Sequence, residues 1–254
     1  GSTQRKRAIE GPQLCPWMKP VQPEVIQGDD FIAVKTTYKY EYAAPGRNAG
    51  SLWTQLIVFP REERYFLLMD RIDCVNDSEE LFLRNDTPGG IRHSRGDTFS
   101  EIYLSYLGGP SGVRIPATEF FTTFPPDLKY GYRRDLNRIP DHFIRAYRLR
   151  DPVTGLEGPW LAGVTLDSTA VYEAWTSARG PDIIVLIQEA YGRPIKAGYS
   201  FSTAYVVGYF DTIAEMHSVN ERYRGSNFLS ATESGWRFEK YPQPFRSGLT
   251  GDQR

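Results

Sequence analysis

The sequence predicts an all-β chain: a large antiparallel β-sandwich with one or two short helices. Three observations carry this. In FIAVKTTYKYEY (31–42), Ile32, Val34, Thr36, Tyr38, Tyr40 and Tyr42 take the even positions, while Lys35, Thr37, Lys39 and Glu41 take odd ones. A period of two sends alternate side chains to opposite faces of an extended strand. Similar strand-length runs recur along the chain, separated by Gly- and Pro-containing loops. Aromatic residues make up 14% of the chain, led by 16 Tyr and 14 Phe, a composition that favours strands.

Each element can be justified in order. Residues 1–28 contain Pro12, Pro16, Pro20 and Pro23 and little periodicity, so they read as an extended arm anchored by Trp17 and Met18. Residues 29–225 are expected to form the sandwich. After strand 31–42 and the loop 45–50, SLWTQLIVF (51–59) and RYFLLMDRI (64–72) form a hairpin across residues 60–63. Both of their faces are apolar, as in central strands covered on both sides. Strands follow at 80–84, 98–107, 142–149, 159–166, 182–190 and 199–210, with a long Gly/Pro-rich connection at 108–141.

Two helices are expected. Over 168–179, Ala170, Val171, Ala174, Trp175 and Ala178 fall on one side, and Gly180 ends the segment. In the second, Asp211 or Thr212 caps the start, Thr212 and Glu215 have capping-box spacing, and Gly225 terminates it. Residues 226–254 read as a tail held on the sandwich by Trp236, Phe238 and Phe245.

Composition narrows the function classes. The 254 residues suit one large all-β domain of about 200–250 residues. The 30 basic and 31 acidic residues nearly cancel, and Arg5-Lys6-Arg7 is the one strong basic cluster, so nucleic acid is not an expected partner. No apolar run reaches the roughly 18 residues of a membrane span, so no membrane partner is expected either. Gly1-Ser2 reads as an expression scar, which leaves localisation open, with secretion or the periplasm preferred. Cys15 and Cys74 allow one disulfide but match no zinc or redox spacing; Cys74 also suits a small buried position.

The densest polar constellation is the loop 85–97 with the strand after it. Glu101 and Tyr103 share a strand face, and Gly89, Gly90 and Gly96 allow close backbone approach. We expect Arg92 and Arg95 to bind an anionic substrate and His93 and Tyr103 to exchange protons. Glu101 or Asp97 would orient His93 or serve as a second acid–base group. Tyr132, Arg134 and His142 are expected to border the same cleft and contact substrate. This set suits β-elimination from a uronate. Hydrolysis would instead use two carboxylates among Asp97, Glu101 and Glu189. The competing reading is an ion-pair network that closes a loop, such as Arg92 with Asp86 or Arg95 with Asp97.

His217, beside Met216 on the second helix, reads as a packed or surface residue. His93 and Asp97 are too few ligands for a metal, so no metal and no cofactor is expected. No GxSxG elbow, P-loop or HExxH motif is present.

The phrase GRPIKAGYSFSTAYVVGYFD (192–211), following the run of long antiparallel strands, resembles the closing element of the galactose-mutarotase-like β-supersandwich found in many carbohydrate-active proteins. The resemblance spans about residues 30–225. It implies sugar chemistry without naming a reaction, and it transfers no catalytic residue, because His93, His142 and Glu189 do not align with that family's histidine pair and glutamate base. The functional expectation is an enzyme, a lyase or glycoside hydrolase, acting on an acidic or hydroxyl-rich glycan. The alternative is a non-catalytic carbohydrate-binding module, with Trp53, Tyr132 or Trp160 as stacking platform, or a structural module. An uncovered apolar strand face would make the chain a homo-oligomer.

Overall fold

Apolar residues on both faces of a strand require cover on both faces, and that requirement organises the molecule. A computed structural model of the protein describes residues 10–11, 23–92, 98–122, 129–178 and 183–247. The first half of the chain contains β1 (Glu10–Gly11), β2 (Glu24–Gln27), β3 (Phe31–Lys39), β4 (Tyr42–Ala43), β5 (Leu52–Pro60), β6 (Tyr65–Asp73), β7 (Ser78–Asn85) and β8 (Gly90–Arg92). Next come β9 (Phe99–Leu104), β10 (Val113–Pro116), α1 (Ala117–Thr122), β11 (Tyr132–Arg133), β12 (Phe143–Arg150) and β13 (Glu157–Thr165). The chain continues through β14 (Val171–Ala178), β15 (Ile183–Ile195), β16 (Tyr199–Phe210) and α2 (Ile213–Tyr223). It closes with β17 (Phe228–Thr232), β18 (Gly235–Glu239) and β19 (Phe245–Arg246).

The large sheet has ten strands in the order β10-β9-β12-β13-β16-β6-β5-β3-β2, with β19 also pairing β16. The small sheet has five, in the order β11-β14-β15-β7, with β8 also on β15. Every pairing between described strands is antiparallel, as the sequence predicts. Glu24–Gln27, within the expected arm, is an edge strand on β3.

On its inner face the large sheet packs against the small one. Phe99, Ile102, Leu104 and Tyr147 meet Ile184 and Leu186 there, while Ile72 and Phe201 meet Leu83 and Ala190. The outer face carries Leu56, Val58, Leu67, Met69, Tyr103, Ile144, Ala146 and Val206, which pack beneath Met216 and Val219 of α2 and Leu229 of β17. Cys74 is buried beside Ile72 and Phe201, as its apolar setting suggests; Cys15, and with it the disulfide the sequence allows, lies outside the described residues.

One expectation is corrected. The helix expected over 168–179 is not formed in its described part, 168–178: a single 3-10 turn at Ser168–Ala170 leads directly into β14. The cause is a β-bulge between Val171 and Glu173. It inserts one residue into the alternation, so Val171 and Ala174 both face inward although they are three apart. That spacing imitates a helix face.

The second helix is as expected. The Thr212 hydroxyl accepts from the Glu215 backbone N–H at 3.1 Å, and the Glu215 carboxylate accepts from the Asp211 N–H at 2.8 Å. Met216 and Val219 are buried, contributing roughly 1.5–3 kcal/mol each to docking α2 on the sheet. Replacing Thr212 with Ala should lower stability by about 1 kcal/mol, read as a reduced urea midpoint with unchanged m.

Candidate functional site

At the first residue of β12 the alternation places Phe143 inside the sandwich and Ile144 under α2. His142, one residue before Phe143, shares the parity of Ile144 and points toward α2. There it meets His217, with the two Nδ1 atoms 2.8 Å apart and the ring planes at 72°. The Nε2 of His217 lies 2.7 Å from the Tyr103 hydroxyl, which is also 3.3 Å from the Ser111 carbonyl oxygen. At the other end the His142 Nε2 is bonded to the Glu221 carboxylate. Arg224 approaches Glu221 at 3.4 Å and Asp141 at 3.2 Å. The result is one continuous chain, Glu221–His142–His217–Tyr103–Ser111, running from a half-exposed carboxylate to a phenol that is 1% exposed.

This chain has two consistent proton arrangements. In one, His142 is an imidazolium that donates to Glu221 and to His217. His217 then donates through Nε2 to Tyr103, and Tyr103 donates to the Ser111 carbonyl. In the other, every donation runs outward: Tyr103 to His217, His217 to His142, and His142 to Glu221. The two differ by one proton taken up at the exposed end, and interconverting them reorients every bond as far as the buried phenol. Burial pushes the Tyr103 phenol up to about 12, so it remains a donor rather than a base. Burial first, and then His142, hold the His217 imidazole below the ordinary histidine value, with Glu221 pulling partly against them. The bond from His142 is the main reason the Glu221 carboxyl lies below the usual carboxylate range.

The other expected site residues are dispersed. His93, Arg95 and Asp97 lie outside the described residues. Arg92 is exposed on β8 in the small sheet, whereas Tyr103 lies on the outer face of the large one. Glu101 shares a face with Tyr103, but both of its oxygens are taken by Arg114 of the adjacent β10. Tyr132 is buried between the sheets, edge-on to Phe143, so it does not share a cleft with His142. Arg134 stacks on Tyr172 and donates to the Thr169 and Gly192 carbonyl oxygens. Glu189, the other carboxylate considered for hydrolysis, is fully buried in β15.

Two members of the chain escaped the sequence reading, His217 and Glu221. A signal was present in their spacing, because positions i and i+4 of a helix lie on one face. Their partner His142 is 75 residues from His217, a distance no local pattern bridges. Among the described residues no group of three or more His, Cys, Asp or Glu is placed to hold a metal ion, and no helix is long and apolar enough to cross a membrane.

The chain's titration has a definite sign. His217 is held neutral in the folded protein, while the unfolded chain takes up that proton as pH falls below about 6.5. His217 therefore contributes stability above that pH and loses it on acidification, until the folded imidazole itself protonates. The Glu221 contribution fades lower, as pH falls through its depressed folded value. Urea midpoints measured from roughly pH 7 to 5 should fall for the parent, and His217→Asn should flatten that slope.

No family model matches the chain, and no curated protein matches it. Two solved structures are similar. One is a protein assigned as an aldose 1-epimerase from Escherichia coli K12, at 9% identity and a TM-score of 0.38, over 77% of this chain and 70% of that one. The other, assigned likewise, is from Klebsiella pneumoniae subsp. pneumoniae MGH 78578, at 9% identity and a TM-score of 0.39. It is matched over 80% of this chain, which spans 57% of its length.

Proposed function

We propose that the chain is a carbohydrate-active protein that exchanges a proton with an acidic or hydroxyl-rich glycan at the exposed end of the histidine chain. The observation that carries this reading is the unbroken run of titratable groups from Glu221 through His142 and His217 to Tyr103. His142 is the group that meets substrate. Glu221 is bonded to its Nε2, and His217 with Tyr103 fixes its ring orientation and tautomer, so these two are positioning residues. The sugar class is supported by the resemblance of residues 192–211 to the supersandwich element.

Between the two finer chemistries, proton abstraction from a uronate is favoured over hydrolysis. Hydrolysis needs two carboxylates facing one bond. Of the candidates among the described residues, Glu101 is instead bound by Arg114, and Glu189 sits in the other sheet. One observation favours a second reading, binding without turnover: the His142 Nε2 is already engaged by Glu221.

A panel of neutral and acidic polysaccharides separates these readings. Ultraviolet absorbance of unsaturated uronates reports elimination, reducing-end assays report hydrolysis, and a parallel binding assay reports association. His142→Ala should lose roughly 10²–10⁴-fold in turnover. Tyr103→Phe, which keeps the buried ring, should change kcat and its pH profile more than KM. Product formed equally well by His142→Ala would overturn the assignment, and binding with no product from any glycan would establish the second reading.

A further inference from the structure

Between the sheets, on the opposite face of the large sheet from the histidines, lies a polar interior that this chemistry does not use. Asp70 of β6 and Thr165 of β13 belong to it, and both are satisfied. The Asp70 carboxylate accepts from Trp53 Nε1 at 3.0 Å, Gln55 Nε2 at 3.1 Å and Asn85 Nδ2 at 2.9 Å. The Thr165 hydroxyl donates to Gln188 Oε1 at 3.0 Å, joining the two sheets.

Arg145 of β12 is different. Its side chain has the inward parity of Phe143, and the residue is 1% exposed. Neither Nη1 nor Nη2 has a hydrogen-bond partner among the described residues. Its surroundings are phenols, Tyr106, Tyr147 and Tyr205. Two of these spend their protons elsewhere: Tyr106 donates to the Tyr130 carbonyl oxygen at 3.1 Å, and Tyr147 to that of Gly89 at 3.2 Å. Among the described residues, the one carboxylate whose field reaches Arg145 is Asp86, which is exposed and paired with Arg84 at 3.2 Å. Asp70 is not among the groups that act on Arg145, and its two oxygens are taken by Trp53, Gln55 and Asn85.

A charge buried without a partner is costly, so the folded protein is expected to recruit one. The groups around the guanidinium show which kind. The Tyr205 hydroxyl lies close enough to Thr203 and Gln188 to feel their dipoles, yet neither is in full hydrogen-bonding geometry with it. The Gln188 Nε2 is likewise without a geometrically sound acceptor. Guanidinium, phenol and amide nitrogen are all donors, and a planar guanidinium fork matches the paired oxygens of a carboxylate or phosphate. We infer that Arg145, Tyr205 and Gln188 form an interior site for one small molecule bearing a carboxylate or phosphate group. The site rests on different residues from the proposed proton chain and stands or falls separately from it.

The test is thermal unfolding of the full chain titrated with D-glucuronate, inorganic phosphate and, as the neutral control, D-glucose. Mass spectrometry of small molecules released on denaturation accompanies it. One of the two anions should raise Tm saturably, or an anion should be released from the purified protein; which anion acts distinguishes the carboxylate from the phosphate source. Glucose should leave Tm unchanged, Arg145→Met should abolish the effect, and His217→Asn should retain it. Should Arg145→Met fail to unfold cooperatively, Arg145→Lys, which keeps the charge and loses the fork, should bind roughly tenfold or more weakly. Equal shifts with glucose, an undiminished shift in the Arg145 variants, or neither shift nor released anion would overturn the inference.

Discussion

The structure depends on the two-sided burial of the large sheet. Its central strands β16, β13 and β6 are buried on both faces, with the small sheet on one side and α2 with the β17–β18 hairpin on the other. Strand parity then becomes a sorting device. Odd and even residues of one strand enter different compartments, and a one-residue offset decides which chemistry a side chain can join. On β12, Arg145 enters the compartment between the sheets while Ile144 and Ala146 enter the one beneath α2. His142 and Tyr103 both reach His217 because both have the outward parity, toward α2.

The same constraint explains the bonds that Asp70 and Thr165 make. A polar group that parity sends inward is taken out of ready contact with water and gains from any partner the sandwich offers. Asp70 shows the cost and its remedy. Burial pushes its carboxyl up, while donors from Gln55, Trp53 and Asn85 pull it back. Two of those donors come from the neighbouring β5 and one from β7 of the small sheet. The Thr165–Gln188 bond likewise ties sheet to sheet. These contacts are directional, unlike the apolar ones around them, so they fix the register in which one sheet faces the other.

Strand positions were legible in the sequence because alternation is local. The segments 51–59, 64–72, 142–149, 159–166 and 199–210 each coincide with an observed strand to within two or three residues. The helix at 213–223 was legible through its capping box. Local pattern failed at 168–179, where one inserted residue converts a period of two into the three-residue spacing of a helix face. Of the candidate site, Tyr103 and His142 were singled out but assigned to one cleft with Tyr132 and Arg134. The parity between His142 and Phe143, together with the division into two sheets, separates them. His217 reads locally as a packed or surface residue, because its partner becomes visible only when α2 folds back over β12.

That folding back makes the histidine chain conditional on docking. One imidazole belongs to a strand and the other to a helix, so neither half has an acid–base partner until α2 lies on the sheet. The helix is held by Met216 and Val219 in the core, and a bond from Asn220 Nδ2 to the Thr165 carbonyl oxygen at 3.4 Å fixes its height. Beyond its end the Gly225 N–H reaches the Leu166 carbonyl oxygen at 2.7 Å, tying the exit to the same strand corner. With both ends held, the rings of His142 and His217 meet at 72°. Two imidazoles this close resist simultaneous protonation, because a second positive charge would be repelled by the first across a single hydrogen bond. His142 therefore adds to burial in holding His217 below the ordinary histidine value, and the chain reaches solvent at the half-exposed Glu221.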